Sequence, residues 1–487
     1  MRCALALHPD DAAKCLRLPV FGAAKSARRR HQVLRLVWHD SPDRALRAEG
    51  LALLEQRGTW RLEGLYPNGA DWLPGQPAPL VAERGGGVPD HALIPHALAP
   101  VAAFDGRVTT IQVQGDDVGL TVRLLRGALR GVMATTPACR ILVDGPDGAV
   151  RALILELAES VRLTVPRASL AAEAMTVAEG WVPPPWAVGA PRPVSDRTAG
   201  DAFAAVIGHL TGVLLHCAPL AVLRPDNTEP VHQMRVAVRR ARSVMAVFRP
   251  ALDCPLVTEA SQALKALGAV LGPARDWDVF VTETLPPVHA AFPDEARLAR
   301  LAAAAARQQA EAYVGLRAWL DGPSFRRLTL SLAWLAGSRD WHAGLDPDRQ
   351  ALLAAPIPDF ARDVLRQYWK RLRSAGHAIE TLPIPVLHAL RLRVKRTRYA
   401  MEVFVPEHQP KPILRALRRL SLLQERLGVL NDGAVAEGLL HQLGGPAGRH
   451  AYAVGLVMGF VAARAVGAQP RINAAWHKIS RIAPFWT

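Results

Sequence analysis

Two stretches of this sequence gather cations at helical spacing behind a histidine. The first, HQMRVAVRRARSVMAVFRP, begins at His232, and the second, HALRLRVKRTRYAMEVFVP, begins at His388. On a helix turning about 100° per residue, offsets of three, seven and ten fall roughly −60°, −20° and −80° from the start. His232, Arg235, Arg239 and Arg242 therefore share one face, and so do His388, Arg391, Lys395 and Arg398. Arg240 and Arg396 flank that face, at roughly +80°. Met234, Ala237, Val238, Ala241, Met245 and Phe248 fall opposite, as do Leu390, Val394, Thr397, Met401 and Phe404. Arg393 lands on the apolar side and must snorkel or pair.

Cations at this spacing repel one another, and Val231–Pro250 holds no Asp or Glu to relieve them. A face of this kind kept twice points to an anion. Arginine suits phosphate, because its planar fork donates two parallel hydrogen bonds to oxygens. A histidine among arginines holds a proton more readily once a polyanion arrives, so binding should strengthen at lower pH.

The two stretches belong to an internal repeat offset by 156 residues. It pairs Arg235 with Arg391, Arg239 with Lys395, Arg240 with Arg396 and Arg242 with Arg398. Met245 meets Met401, Phe248 meets Phe404 and Pro250 meets Pro406. The register runs on without a gap through Leu264 and Leu420, Leu267 and Leu423, Leu271-Gly272 and Leu427-Gly428, and Asp276 and Asp432. The unit reads as a basic helix, then a helix leading into Leu-Gly and an Asp-containing turn.

The elements that must hold these residues show in the texture of the chain. Of 487 residues, 50% are hydrophobic and 21% charged, which excludes a wholly disordered chain and leaves room for two or three domains. From Asp201 onward the 3.6-residue period predicts helices at Ala202–Cys217, Pro230–Phe248, Val257–Leu271, Asp294–Leu320 and Phe325–Leu335. It continues with Pro358–Ala375, Pro385–Phe404, Lys411–Leu427 and Ala451–Val466. Residues 1–180 hold shorter apolar runs broken by Gly, Pro and Asp, and read as mostly β with a few helices. There RILVDGPDGAVRALILELA reads as a hairpin turning at Asp144–Gly148. Residues 181–199 begin with a proline-rich run that reads as a stiff linker.

Charge follows the same division. Lys and Arg number 59 against 43 Asp and Glu, a net of +16 that points to nucleic acid, anionic membrane or a phosphate polymer. Residues 1–195 carry 22 basic and 19 acidic residues, leaving +13 of the excess in the helical part. Compositional drift would spread the arginines more evenly. The five cysteines are scattered without a CxxC pair, so a reducing compartment is expected and no zinc site. The first residues lack the apolar core of a signal peptide. Ala451–Ala468 is apolar but Gly/Ala-rich and interrupted by Arg464, and reads as a buried bundle helix rather than a membrane span. The expected location is cytoplasmic.

The two basic helices and the paired Leu-Gly and Asp segments resemble the CHAD domain, the conserved histidine α-helical domain, over roughly residues 200–487. The resemblance implies an all-α domain of two pseudo-symmetric four-helix bundles, from repeats near 201–340 and 358–487, with a basic groove between them. It implies binding of inorganic polyphosphate, often at polyphosphate granules. The family's binding positions carry over to His232, Arg235, Arg239, Arg240, His388, Arg391, Lys395 and Arg396. Arg242, Arg398 and Lys265 are weaker candidates.

CHAD domains often follow a CYTH domain, a β-barrel-like tunnel that hydrolyses triphosphates with a divalent metal. Residues 32–65 are similar to a CYTH segment: a strand, a D-S-P-D turn, a short helix, and a hairpin at Leu51–Arg57 and Trp60–Leu65. Arg151–Glu159 resembles a late CYTH strand that bears acidic metal ligands. The whole is thus expected to be a multidomain α+β protein, with a degenerate CYTH-like domain over residues 1–180. The family's ExExK strand is replaced by RCALAL, which puts Arg2, Ala4 and Ala6 at its three positions. The Lys expected after Trp60 falls near Tyr66 and is absent. Of the late acidic set, Glu156 and Glu159 remain, and Glu156 is the one weak metal candidate. Arg35 and Arg123 could line a tunnel, though surface arginines are the simpler reading.

The expected function is polyphosphate binding by the duplicated His/Arg/Lys face, beside a non-catalytic CYTH-like domain and without a cofactor. The alternative is an inorganic triphosphatase using Mg²⁺ or Mn²⁺. Nucleic acid is the other rival, and no membrane partner is expected. Base stacking would need aromatics beside arginine, whereas Trp334, Trp341 and Trp369 sit in apolar runs or at helix ends and read as core.

Overall fold

The computed structural model describes residues 2–22, 29–65, 75–114, 119–131, 134–183, 186–191, 197–223, 227–338, 340–404 and 411–483. Tyr66, Pro406 and part of the expected linker lie outside the described residues. The chain divides into two compact units. One comprises Met1–Ala187, Ile207–His216 and Leu320–Gly344; the other comprises Val188–Val206, Cys217–Trp319 and Leu345–Thr487.

The first unit is built on nine antiparallel strands: β1 (Arg2–Leu7), β2 (Arg29–Asp40), β3 (Leu51–Gln56), β4 (Thr59–Gly64), β5 (Leu80–Gly85), β6 (Ala99–Gln114), β7 (Gly119–Arg130), β8 (Thr135–Asp144) and β9 (Leu163–Thr164). Their order is β5-β4-β3-β2-β6-β7-β8-β1-β9. Alternation gives the sheet two distinct faces. Cys3, Leu5, Val122, Leu124, Ile141 and Val143 pack on one side against helix α1 (Asp147–Ser160). Leu330, Ala333 and Trp334 cover the same core. On the other side Leu34, Leu36, Trp38 and Leu54 meet α2 (Leu170–Glu179). Gly106 and Gly127 face each other across β6 and β7, where a Cβ on Gly127 would stand 2.2 Å from the Asp105 carbonyl. Only glycine permits that close crossing.

The D-S-P-D segment leads into the short Ala45–Ala48 helix and satisfies its first amides. Buried Asp40 accepts from the amides of Ser41, Leu46 and Arg47 at 2.8, 3.0 and 3.1 Å. The expected hairpin at 144–148 does not form. Its second run is the helix α1, which buries Val150, Leu153, Ile154, Leu157 and Ala158 at helical spacing. Ala, Leu and Glu in DGAVRALILELAES favour that outcome over a strand. The Arg151–Glu159 strand is therefore corrected to helix.

The second unit is helical. Its helices include the ends of α3 (Ala199–Leu223), then α4 (Glu229–Phe248), α5 (Pro255–Val279) and α6 (Ala296–Asp321). The Pro323–Gly337 helix, α7, belongs to the first unit. The second resumes with α8 (Ile357–Ala375), α9 (Ile384–Phe404), α10 (Lys411–Gln442), α11 (Ala451–Val466) and α12 (Gln469–Ser480). Repeat-related Phe248 and Phe404 meet at 5.9 Å, with Phe203 and Phe360 joining them at 5.4 and 4.9 Å from Phe248. A further core draws Trp277, Phe280 and Leu301 from the first copy and Leu439, Leu440 and Val454 from the second.

Helix α11 corrects a second expectation. By length and composition Ala199–Leu223 and Ala451–Ser480 could cross a membrane, yet the latter's apolar window is only 22% buried. Ala453, Val454 and Val457 are the buried residues of α11, while Tyr452 and Val466 are exposed. Val, Leu, Met, Phe and Ala supply the hydropathy, but only one narrow stripe of them is fully buried. Trp334, Trp341 and Trp369 are buried, as expected of core residues. All five cysteines are free thiols, four of them buried.

Candidate functional site

The apolar seats predicted for the two basic helices are buried: Met234, Ala237, Val238, Ala241, Met245 and Phe248 on α4, and Leu390, Val394, Thr397, Met401 and Phe404 on α9. Helices α4 and α9 pack against each other, which brings their basic faces together. Arg393 is exposed and donates to the Arg371 carbonyl at 3.4 Å, so it pairs in place of entering the core.

The Leu-Gly pair marks a crossing, not a helix end. Helix α5 runs through Gly272 and Asp276 to Val279, and α10 runs through Gly428 and Asp432 to Gln442. The expected Asp-containing turn is thus mid-helix in both copies. One glycine costs a helix only about 1 kcal/mol, and here it has a use. A Cβ on Gly272 would stand 3.2 Å from the Arg235 guanidinium. Across that gap Arg235 reaches Asp276 at 3.5 Å. In the second copy Asp432 attracts Arg391 by charge, with no other atom nearer than Asp432 Oδ2, at 3.8 Å, to a Cβ on Gly428.

Arg239 sits at the hub of the cations. Burial, then Asp276 in opposition, then Arg239 set the Arg235 guanidinium below its usual range. Burial lowers Arg391 as well, opposed by Asp432 and reinforced by Arg239. Burial and the charges of Arg239, Arg391 and Arg235 pull the Lys395 amine down to about 7. His232 falls below its usual value through burial and the charge of Arg275. The Nε atoms of Arg239 and Arg391 are buried without a hydrogen-bond acceptor. Among the described residues no carboxylate lies within ion-pair distance of Arg239, Arg391 or Lys395. Like charges roughly 6 Å apart repel by about 3 kcal/mol at an effective dielectric constant near 20. Burial of unpartnered cations therefore works against this fold until an anion joins them.

Beside the hub lies an open pocket of about 570 Å³. Arg239, Arg242, Arg249, Lys395 and Arg396 line it with Tyr368 and the hydroxyls of Ser243, Thr258 and Ser261. The candidates divide accordingly. Arg239, Arg242, Lys395 and Arg396 face the pocket, while His232, Arg235 and Arg391 share the charge cluster. Arg240 reaches Glu402 at 3.2 Å, and Arg398 pairs with the same carboxylate and donates to Gln424 at 3.1 Å. These two are spent on holding α4 to α9 and α9 to α10. His388 and Lys265 are exposed and do not line the pocket. Arg249 and Arg275 were not anticipated. Carrying the α4 projection on to Arg249 places it at roughly −100°, beside Arg242. Arg275 pairs with Glu283 at 3.0 Å and is foreshadowed by no repeat partner.

A second concavity of about 570 Å³ lies on the sheet of the first unit. Ala4, Arg61, Glu63, Glu83, Arg123 and Arg140 line it together with Leu34, Leu36, Trp38, Leu54, Leu125 and Leu142. Its arginines are paired: Arg61 with Glu83 at 3.3 Å, Arg123 with Asp144 at 2.7 Å and Arg140 with Glu173 at 2.5 Å. Burial pushes the Glu63 carboxyl up to about 7, against a hydrogen bond from Trp38 Nε1 at 3.5 Å. Glu156 is exposed on α1 and does not line this cavity, and Glu159 pairs with Arg327. Arg123 lines it, whereas Arg35 is exposed and lies 3.8 Å from Asp105.

Residues 204–441 match the family model described as the CHAD domain. No curated protein matches the chain. The crystal structure of the CHAD domain from the plant Ricinus communis is 28% identical, covering 62% of this chain and 98% of that one, with a TM-score of 0.52. PptA from Streptomyces chartreusis is 18% identical, covering 57% of this chain and 99% of that one, with a TM-score of 0.44.

Proposed function

Residues 204–441 form a CHAD domain, and from that premise we propose that the helical unit binds inorganic polyphosphate along the paired faces of α4 and α9. The observation that carries this reading is the gathering of Arg239, Arg391 and Lys395 with no carboxylate within ion-pair distance among the described residues, beside further cations from both repeats. A polyanion relieves their mutual repulsion and supplies the missing acceptors. A phosphate chain meets Arg and Lys from α4 and α9 in succession and needs no aromatic platform. The helical part is read as two pseudo-symmetric four-helix bundles, α3 to α6 and α8 to α11, that frame the groove.

In the same reading the sheet unit, residues 1–180, is a CYTH-like domain that has lost its chemistry, joined through residues 181–199. Ala4 lines the cavity where the family's strand would place a carboxylate. No metal is required, and the protein is cytoplasmic, at polyphosphate granules where these exist. The test is competition. Labelled long-chain polyphosphate on the full-length protein should be displaced by unlabelled polyphosphate at far lower phosphate concentration than by single-stranded RNA. Incubation of tripolyphosphate with the protein and Mg²⁺ or Mn²⁺ should release no phosphate. Equal displacement by RNA, or hydrolysis abolished by Glu156→Ala, would replace this reading with one of its rivals.

A further inference from the structure

The sheet cavity offers a second site of different chemistry. We propose that it binds a small amphipathic monoanion, an apolar body ending in one carboxylate, and excludes phosphate chains. Leu34, Leu36, Trp38, Leu54, Leu125 and Leu142 give it apolar walls. Its volume, about 570 Å³, falls within the usual range for small-molecule pockets.

The charges decide what the head group can be. Arg61, Arg123 and Arg140 each face a carboxylate already, in Glu83, Asp144 and Glu173. Glu63 is left over, so among the described residues the charged groups of the site sum to zero or minus one. A phosphate chain would bring several negative charges to a surface with no free cation to meet them. Donors nevertheless remain. The Nε atoms of Arg61 and Arg123 are buried without a hydrogen-bond acceptor, while the Nη2 of Arg140 is held by Glu173. Arg140 is itself only 8% exposed. Two unused N–H groups on arginines that line an apolar cavity match one carboxylate, whose two oxygens accept from more than one donor. The chain of such a ligand would take the leucine-lined interior.

Decanoate is a suitable probe, with decanol as its uncharged counterpart. Calorimetric titration of the full-length protein should show saturable one-to-one binding of decanoate, unchanged by a tenfold excess of tripolyphosphate. Arg123→Gln should weaken decanoate about tenfold and leave decanol within twofold. A helical variant with Arg239 and Lys395 replaced by alanine should bind decanoate as the unaltered protein does, which separates this site from the polyphosphate face. Absence of saturable binding, displacement by tripolyphosphate, or loss in the helical variant would overturn the proposal. Should Arg123→Gln fail to fold, as read from its thermal unfolding, the tripolyphosphate competition on the unaltered protein decides alone.

Discussion

Arginine lines two concavities in this protein, and they differ in what the guanidinium groups already hold. In the sheet unit each lining arginine has its own carboxylate, at 2.5 to 3.3 Å. In the helical unit Arg239, Arg391 and Lys395 have none within ion-pair distance among the described residues. Counting arginines would rank the two alike. Counting their partners separates them, and on that ground a polyanion is proposed for the helices and a single carboxylate for the sheet.

Charge reversal breaks this comparison most sharply. Arg239→Glu should lower polyphosphate affinity by about a hundredfold or more, since it reverses the charge at the hub. Arg123→Gln in the sheet unit should leave that affinity within twofold, as a labelled-polyphosphate titration of both proteins would check. A large loss from both variants would erase the distinction.

Protons give the next effect. Free Lys395 titrates near 7. A bound polyanion returns it toward its ordinary value, so the complex holds more protons than its separated parts between those two points. Affinity is therefore fullest below pH 7 and falls as pH rises, by about tenfold between pH 7 and 8.5. Lys395→Arg should flatten that profile, and an unchanged slope would count against a buried lysine in the site. His232, lowered by burial, adds a further gain below its own titration point.

The two copies of the repeat supply the finest comparison. Gly272→Ala crowds Arg235, whereas Gly428→Ala meets nothing nearer than 3.8 Å. The first should weaken polyphosphate about threefold and the second should leave it unchanged. Both variants should melt slightly higher, because alanine favours a helix by about 1 kcal/mol over glycine. Equal effects on affinity would mean that Arg235 does not depend on that gap.

Much of the helical unit is legible in the residues, because 3.6 periodicity and a duplicated cation pattern are local signals. The apolar seats of α4 and α9 follow from it, whereas the meeting of Phe248 with Phe404, two positions that the repeat pairs, is shown by the structure. What stayed hidden depends on distant partners. Glu402 takes Arg240 and Arg398 out of the open face, and the Arg240 contact joins residues 162 apart in sequence. Within the sheet unit, Arg140 with Glu173 and Arg123 with Asp144 are likewise tertiary pairings that no spacing reveals. Two misreadings were local. The Gly-Pro-Asp-Gly run before α1 looks like a hairpin turn, yet the residues after it carry helical apolar spacing. In α11 the apolar residues run round the helix and only Ala453, Val454 and Val457 are buried, so high hydropathy is not burial.

The most direct measurement is the salt dependence of polyphosphate binding, compared between the protein and a variant with His232, Arg235, Arg239, His388, Arg391 and Lys395 all replaced by alanine. By analogy with single-stranded nucleic acid, each cation that neutralises a phosphate contributes about −0.7 to the log–log slope. Arg235, Arg239, Arg391 and Lys395 together should give about −3, or roughly a fiftyfold loss between 50 and 200 mM salt. The variant, folded by its thermal unfolding, should bind far more weakly with a slope shallower by about 3. A folded variant with unchanged affinity and slope would show that the duplicated basic face is not the polyphosphate seat.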